Sequence, residues 1–282
     1  MAGRLRGKVA IITGGTSGIG KRSVEVFAEE GAFVLIAARR EKEGRELAQA
    51  LGSKVDFIKT DVSKEEDVKA MIAYALERFG RLDCLFNNAG GPAPVGSIET
   101  IPLGKYESAL SVLLGGVMLG MKHAAPIMRA QGSGSIINTA SVAGVLAGYS
   151  SSMIYSAAKA AVIHLSKCVS MELGESNVRV NVISPGGIVT GIFGKALGLS
   201  IEEADKTTEK IKQALTTFQP IRRAGMPEDV AMAAVYLASD ESTFVNGANI
   251  VVDGGLLGGK QWSIQQEGLN MMRAGLGITV ET

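Results

Sequence analysis

The stretch that decides the fold is VAIITGGTSGIG, residues 9–20, which runs directly into the helical pattern GKRSVEVFAEE, residues 20–30. Val9 to Ile12 is a short apolar run without polar alternation, as expected of a strand buried on both faces. The glycines that follow let main-chain amides approach a pyrophosphate with no side chain in the way. The N-terminus of the next helix adds free N–H groups and a partial positive charge. A strand, a glycine turn and a helix so close to the start read as a dinucleotide-binding unit, with Gly14, Thr16, Ser17, Gly18, Ile19 and Gly20 as candidate contacts. A tight turn with no ligand is the alternative that a glycine cluster alone leaves open.

Working outward, the same kind of apolar run recurs at Val34 to Ala37, Val55 to Lys59, Cys84 to Asn87, Ser135 to Thr139, Arg179 to Ile183 and Asn249 to Val252. Helical patterns lie between them at Gly20 to Glu30, Glu41 to Ala50, Glu65 to Phe79, Lys105 to Ala130, Met153 to Leu173 and Pro227 to Ala238. Alternating strands and helices predict an α/β fold, a Rossmann-type doubly wound parallel sheet of about seven strands with helices on both faces. With no repeat and no linker, residues 1–255 read as one dinucleotide-binding catalytic domain. Within it, about 190–222 form a candidate lid, and 256–282 are an extension.

Twenty-nine Lys and Arg against 28 Asp and Glu give a net charge of +1, too little for the field of a nucleic-acid binder. Cys84, Cys168, His123 and His164 offer no metal-ligand spacing, so no metal is expected, and both cysteines read as small buried hydrophobes. There is no apolar leader and no run of 18 apolar residues, which predicts a cytoplasmic protein with no membrane partner. Glu65, Glu66 and Asp67 read as the acidic first turn of a helix capped by Ser63.

The end of the second strand selects the dinucleotide, because an acidic residue there would bind a ribose 2′-OH and repel a 2′-phosphate. The chain has Ala38-Arg39-Arg40 instead, leaving space and two guanidiniums for a phosphate. NADP(H) is favoured, with NAD(H) possible, and a solvated helix start is the alternative use of the two arginines. Tyr155 and Lys159 stand four apart on a predicted helix and so share a face. A nearby ammonium lowers a phenol pKa toward the range useful for proton transfer. Ser141 follows the fifth strand, at the sheet end where ligands bind.

Several motifs recur in order: TGGTSGIG (13–20), Asp61-Val62, Asn87-Asn88-Ala89-Gly90, Ser141, Tyr155 with Lys159, Asn181, Pro185-Gly186 through Thr190, and Val252-Asp253-Gly254-Gly255. In these the chain resembles the short-chain dehydrogenase/reductase family from about Leu5 to Gly255. The resemblance implies that Asp61 and Val62 contact adenine, with Asn87, Ala89 and Gly90 along the ribose side. Pro185, Gly186, Ile188 and Thr190 would then hold the nicotinamide carboxamide and pyrophosphate. It also implies that Ser141 orients the substrate oxygen, Tyr155 exchanges its proton, and Lys159 binds the nicotinamide ribose and lowers the tyrosine pKa.

The segment after Thr190 carries Ile192, Phe193, Leu197, Leu199 and Phe218, with Gly191, Gly194 and Gly198 as candidate hinges. It reads as a mobile lid over a lipophilic ketone or alcohol, or as helices docked permanently on the body. A homotetramer is expected, through helices bearing Gly115, Gly116, Gly120, Ala124 and Ala125. Trp262, Leu269 and Met272 suggest that the extension covers an active-site mouth in its own or a neighbouring subunit. Leu113 stands where the family carries an asparagine that helps hold a proton-relay water. A nucleotide-binding regulator without turnover is the competing function, against which the intact Ser141, Tyr155 and Lys159 set argues.

Overall fold

The structure is a computed structural model, and it describes residues 3–278. In chain order, β1 (Val9–Thr13), α1 (Gly18–Glu29), β2 (Phe33–Ala38), α2 (Glu41–Leu51), β3 (Val55–Lys59), α3 (Glu65–Phe79) and β4 (Cys84–Asn87) form the first half. Then come α4 (Leu103–Leu110), a π-helical turn at Ser111–Gly115, α5 (Gly116–Gln131), β5 (Gly134–Thr139), α6 (Met153–Gly174) and β6 (Val178–Pro185). The remainder is α7 (Ile192–Ala196), α8 (Ile201–Lys206), α9 (Thr208–Leu215), α10 (Pro227–Ala238), β7 (Asn249–Val252) and α11 (Trp262–Gly275).

All seven strands pair in parallel in the order β3-β2-β1-β4-β5-β6-β7. The chain reverses its winding between β1 and β4, so their C-terminal ends open a crevice there. Two apolar layers sandwich the sheet. One joins α1 and α10 through Val24, Phe27, Val230 and Leu237. The other joins α3, α5 and α6 through Met71, Ile72, Met121, Met128 and Val162. Having both faces covered explains why β1, β2 and β4 are apolar without alternation, whereas the edge strand β3 alternates.

The stretch Leu103–Gln131 is long and apolar enough to cross a membrane by composition, but here it packs in a layer of the α/β body. It is not one continuous α-helix as the sequence predicts. The π turn inserts an extra residue, and the helix beyond it closes on the sheet through Gly116, where a Cβ would sit 2.8 Å from Val62. Gly116, Gly120 and Ala124, expected at a subunit interface, face inward and are buried. The exposed groove beside them is lined by Tyr106, Leu110, Leu114, Met118, Leu165 and Cys168. Cys168 is thus exposed while Cys84 is buried, so only one of the two cysteines is core.

Lys64, not Ser63, stands at the N-cap of α3, because the Ser63 hydroxyl is taken by Asp61 at 2.7 Å. The N-terminal segment folds back onto the far end of the chain. Leu5 is buried, Arg4 pairs with Glu241 at 2.6 Å and Lys8 with Asp240 at 2.7 Å.

Candidate active site

The crevice is built on Thr13, the last residue of β1. Its hydroxyl accepts the amides of Asn88 (3.0 Å) and Ala89 (2.9 Å), while the Asn88 side chain donates to the Thr13 carbonyl at 3.1 Å. The loop after β4 is thereby pinned against the glycine turn. Gly14 has φ +69°, a left-handed conformation in which a side chain is strained. A Cβ on Gly20 would collide with the Gly14 carbonyl and come within 2.6 Å of Asn88 Nδ2. The turn is therefore a bare main-chain cradle at the N-terminus of α1, the arrangement that receives a pyrophosphate.

One continuous cleft contains nearly every residue expected from the sequence. Gly14, Thr16, Ser17, Gly18, Ile19 and Gly20 lie along it, with Arg39, Arg40, Asp61 and Val62 at one end. Ala89, Gly90, Ser141, Tyr155 and Lys159 follow, and Pro185, Gly186, Ile188 and Thr190 close the opposite wall. The exception is Asn87, which does not line the cleft. Its side chain turns into the core and donates to Asn138 at 2.9 Å, and Asn138 in turn donates to Ser166 at 2.9 Å. Gly120 leaves room for it, since any Cβ there would strike the Asn87 carbonyl oxygen. The neighbour Asn88 takes the place on the cleft wall.

At the adenine end Arg40 lies across the glycine turn, its guanidinium donating to Thr16 Oγ1 at 3.1 and 3.2 Å. Arg39 is exposed. Partial burial pushes the Asp61 carboxyl up, but the Ser63 hydroxyl and amide together with Arg39 outweigh it and hold the group below the usual carboxylate range.

At the other end Ser141 begins a short turn, its Oγ accepting the Ala143 amide at 3.1 Å. That turn packs directly on α6. A Cβ on Gly144 would lie 2.6 Å from the Lys159 main-chain carbon, so only glycine lets the serine-bearing turn reach the helix of Tyr155. Ser152 caps α6 by accepting the Tyr155 amide at 3.2 Å and donates to Pro94 O at 2.7 Å.

Lys159 Nζ sits 5.7 Å from the centre of the Tyr155 ring and donates to the Thr139 carbonyl at 2.7 Å. Burial lowers the Lys159 ammonium to about 8. Burial also pushes the Tyr155 phenol up, against the pull of the Ser141 hydroxyl. The lowering of the tyrosine pKa by lysine, expected from their spacing, is not among the causes in this geometry, where burial dominates and only the Ser141 hydroxyl opposes it.

The residues fit a dinucleotide. The turn is free of side chains, guanidiniums meet one end, and Thr139 Oγ1 is buried on the cleft wall with no partner among the described residues. An orphaned buried hydroxyl of this kind calls for a polar ligand.

Thr139, Val112, Leu113, Lys195 and Asp205 line the cleft and were not among the expected contacts. Thr139 was detectable as the C-terminal residue of a central strand and Leu113 as a departure from the family pattern, whereas nothing local marks the other three. Leu113 is buried in the π turn, its methyl 3.5 Å from where a Gly90 Cβ would stand.

Of the lid residues, Ile192 and Phe193 reach the cleft, while Leu197 is 81% exposed and turned away. Gly198 alone of the three candidate hinges has a positive φ, at +85°. Gly191 and Gly194 are packing positions, where a side chain would run into Asp205 and Ala204. A small core of Val189, Leu215 and Ala224 with Phe193, Ile211 and Met226 holds the segment together. None of the described residues of the extension lines its own chain's cleft, and α11 buries none, Trp262 being 74% exposed. Its start is tied by Gln261 to the Thr217 carbonyl at 3.1 Å.

Residues 14–257 match the family model described as enoyl-(acyl carrier protein) reductase. Tropinone reductase-like 1 of Erythroxylum coca is 44% identical over 259 residues, spanning 89% of this chain and 91% of the relative. The (+)-borneol dehydrogenase 2 of Salvia officinalis is 38% identical over 257 residues, 89% of this chain and 90% of the relative. The crystal structure of levodione reductase superposes with a TM-score of 0.82 at 30% identity, covering 91% of this chain and all of that one.

Proposed function

The chain belongs to the short-chain dehydrogenase/reductase family and is an NAD(P)-dependent oxidoreductase of CH–OH and ketone groups; from that premise we propose that it uses NADP(H) on a lipophilic small molecule. The observation that carries the cofactor choice is the end of β2, where Ala38 is followed by Arg39 and Arg40 and no carboxylate occupies the position that would repel a 2′-phosphate. Apolar side chains carry the substrate class, since Val112, Leu113, Ile192 and Phe193 line the same cleft as Tyr155.

The nicotinamide ring, when bound, supplies or accepts the hydride. The chain's own groups manage the proton and the charge. Tyr155 stands at the substrate oxygen, donating its phenolic proton in reduction and receiving one in oxidation. Ser141 hydrogen-bonds the same oxygen, so both donors act most strongly as alkoxide character develops. The Lys159 ammonium, charged at neutral pH and fixed on the Thr139 carbonyl, stabilises negative charge on Tyr155 and helps hold the ribose.

The near-neutral net charge supports a small-molecule substrate rather than a nucleic acid. The exposed apolar groove along α4 and α6 supports assembly into a homotetramer. The test is a turnover panel of NADPH against NADH with ketones of increasing bulk. We expect NADPH to be preferred and activity to rise with apolar bulk. A preference for NADH, or for small polar ketones, would overturn the respective half of the reading.

A further inference from the structure

The lid contributes two charged residues to the cleft, Lys195 and Asp205, and neither takes part in an ion pair among the described residues. Beyond Thr190, the rest of the lid's cleft surface is Gly191, Ile192 and Phe193, so an unpaired lysine there needs a reason.

Its position along the cleft supplies one. The chain leaving β6 touches the glycine turn at Thr190, whose methyl lies 3.1 Å from where a Cβ of Gly18 would be. Lys195 is one helical turn further on, its amide bonded to the Gly191 carbonyl at 3.1 Å, so it stacks above Gly191 on the side of α7 that meets the cleft. It is half-buried. It therefore flanks the pyrophosphate cradle, whereas Arg39 and Arg40 serve the adenine end. The Asp205 carboxylate lies against Gly191, where it would collide with any side chain at that residue.

We propose that Lys195 is a cofactor-binding residue that reaches from the lid to the pyrophosphate of the dinucleotide, so that the lid closes on the cofactor as well as on the substrate. This rests on the reading of the cleft as a dinucleotide site. The main-chain amides of the glycine turn hold the diphosphate from below, and Lys195 adds a charge-assisted hydrogen bond from above. One charged group of the lid is attracted to the diphosphate and the other repelled. Lys195 is the attractive member of the pair.

The test is direct binding of NADPH and of NADH to the full chain by calorimetry, without substrate. Because the pyrophosphate is common to both cofactors, Lys195→Gln should weaken both by about the same factor. That factor is on the order of tenfold, which corresponds to about 1.4 kcal/mol. Lys195→Arg should restore most of the loss, and the deficit of Lys195→Gln should shrink as salt is raised. Asp205→Asn should leave binding unchanged or tighten it.

Unchanged affinity in Lys195→Gln would overturn the proposal, as would a loss confined to NADPH, which would make Lys195 a reader of the 2′-phosphate. A raised substrate KM with unaltered cofactor binding would make it a substrate contact instead. Equal weakening by Asp205→Asn would mean that lid packing rather than charge is responsible. If the unmodified protein bound neither cofactor, the dinucleotide reading itself would fall, an outcome distinct from all of these.

Discussion

Replacing Lys159 with methionine should make the protein more stable at neutral pH while removing its activity. The Lys159 side chain is buried, and burial alone brings its ammonium from the ordinary 10.5 to about 8. That gap is about 2.5 powers of ten, and at 1.36 kcal/mol for each it makes the charge cost ~3 kcal/mol at pH 7. Methionine has a similar length and no charge, but it leaves the Thr139 carbonyl without the donor that now stands 2.7 Å away. An unpaired buried acceptor costs about 1–2 kcal/mol. The net gain is then about 1–2 kcal/mol, or roughly 2–3 °C in Tm for a chain of this size.

Because the folded value lies below the unfolded one, the unfolded chain binds more protons between pH 8 and 10.5. Stability of the unmodified protein should therefore rise with pH across that window, and Lys159→Met should lack this rise. Above about pH 9 the order of the two proteins should reverse, since a neutral amine keeps its hydrogen bond at no cost in charge burial. The assay is thermal and urea unfolding of both proteins from pH 6 to 10 at one protein concentration, with turnover measured alongside and expected to fall at least ~100-fold. A variant that is less stable at pH 7, by an amount that does not change up to pH 10, would refute the reasoning.

Arg39→Ala should raise KM for NADPH by about tenfold to a hundredfold and leave that for NADH nearly unchanged, because a charge-assisted hydrogen bond is worth roughly 1.5–3 kcal/mol; steady-state kinetics with both cofactors decide it. Tyr155→Phe should abolish turnover, whereas Leu113→Asn should change it by about tenfold or less, since the buried leucine lines the cleft without bonding to anything. Undiminished activity in Tyr155→Phe would remove the tyrosine from the mechanism. Truncation after Gly258 should leave NADPH affinity within about twofold, as no residue of α11 lines the cleft; a tenfold loss in a binding titration would contradict this placement. Light scattering at micromolar concentration should give a mass well above the 29.4 kDa of one chain, and a value equal to it would exclude the tetramer.

The sheet was legible because its central strands β1, β2 and β4 are covered on both faces and so announce themselves as apolar runs, while the edge strands β3 and β7 are short β-branched runs between turns. Even the short β7, Asn249–Val252, has the limits expected of it. The cradle was legible because its chemistry demands glycine, which little else at a strand end does. What escaped depends on relations between segments. Asn87 and Asn88 are the same residue type, and only the pairing of Asn87 with Asn138 across β4 and β5 turns one inward and leaves the other on the cleft. The π turn shifts a hydrogen-bond ladder by one residue, which composition does not record. Gly191 and Gly194 resemble hinges in sequence and become contact points because α8 lies against them. Lys195 and Asp205 carry the polar signature of a solvated helix until the lid's position over the cleft gives them another use.

The strap between the chain's two ends bears on how the protein is made. Arg4 and Lys8 find Glu241 and Asp240 more than 230 residues later, and Thr13 meets Asn88 and Ala89 some 75 residues on. During synthesis, β1, β2 and β3 emerge first and can pair with one another. The cradle is still open at that stage, because the loop that closes it leaves the ribosome only after β4. The ionic strap forms late, once residues 240 and 241 are out and only β7 and α11 remain to follow. A nascent chain stalled between α3 and β4 would expose the β1 edge that β4 is destined to cover, a row of unpaired main-chain groups flanked by apolar side chains. On this order of events, the stage at which the protein most needs protection from aggregation precedes β4.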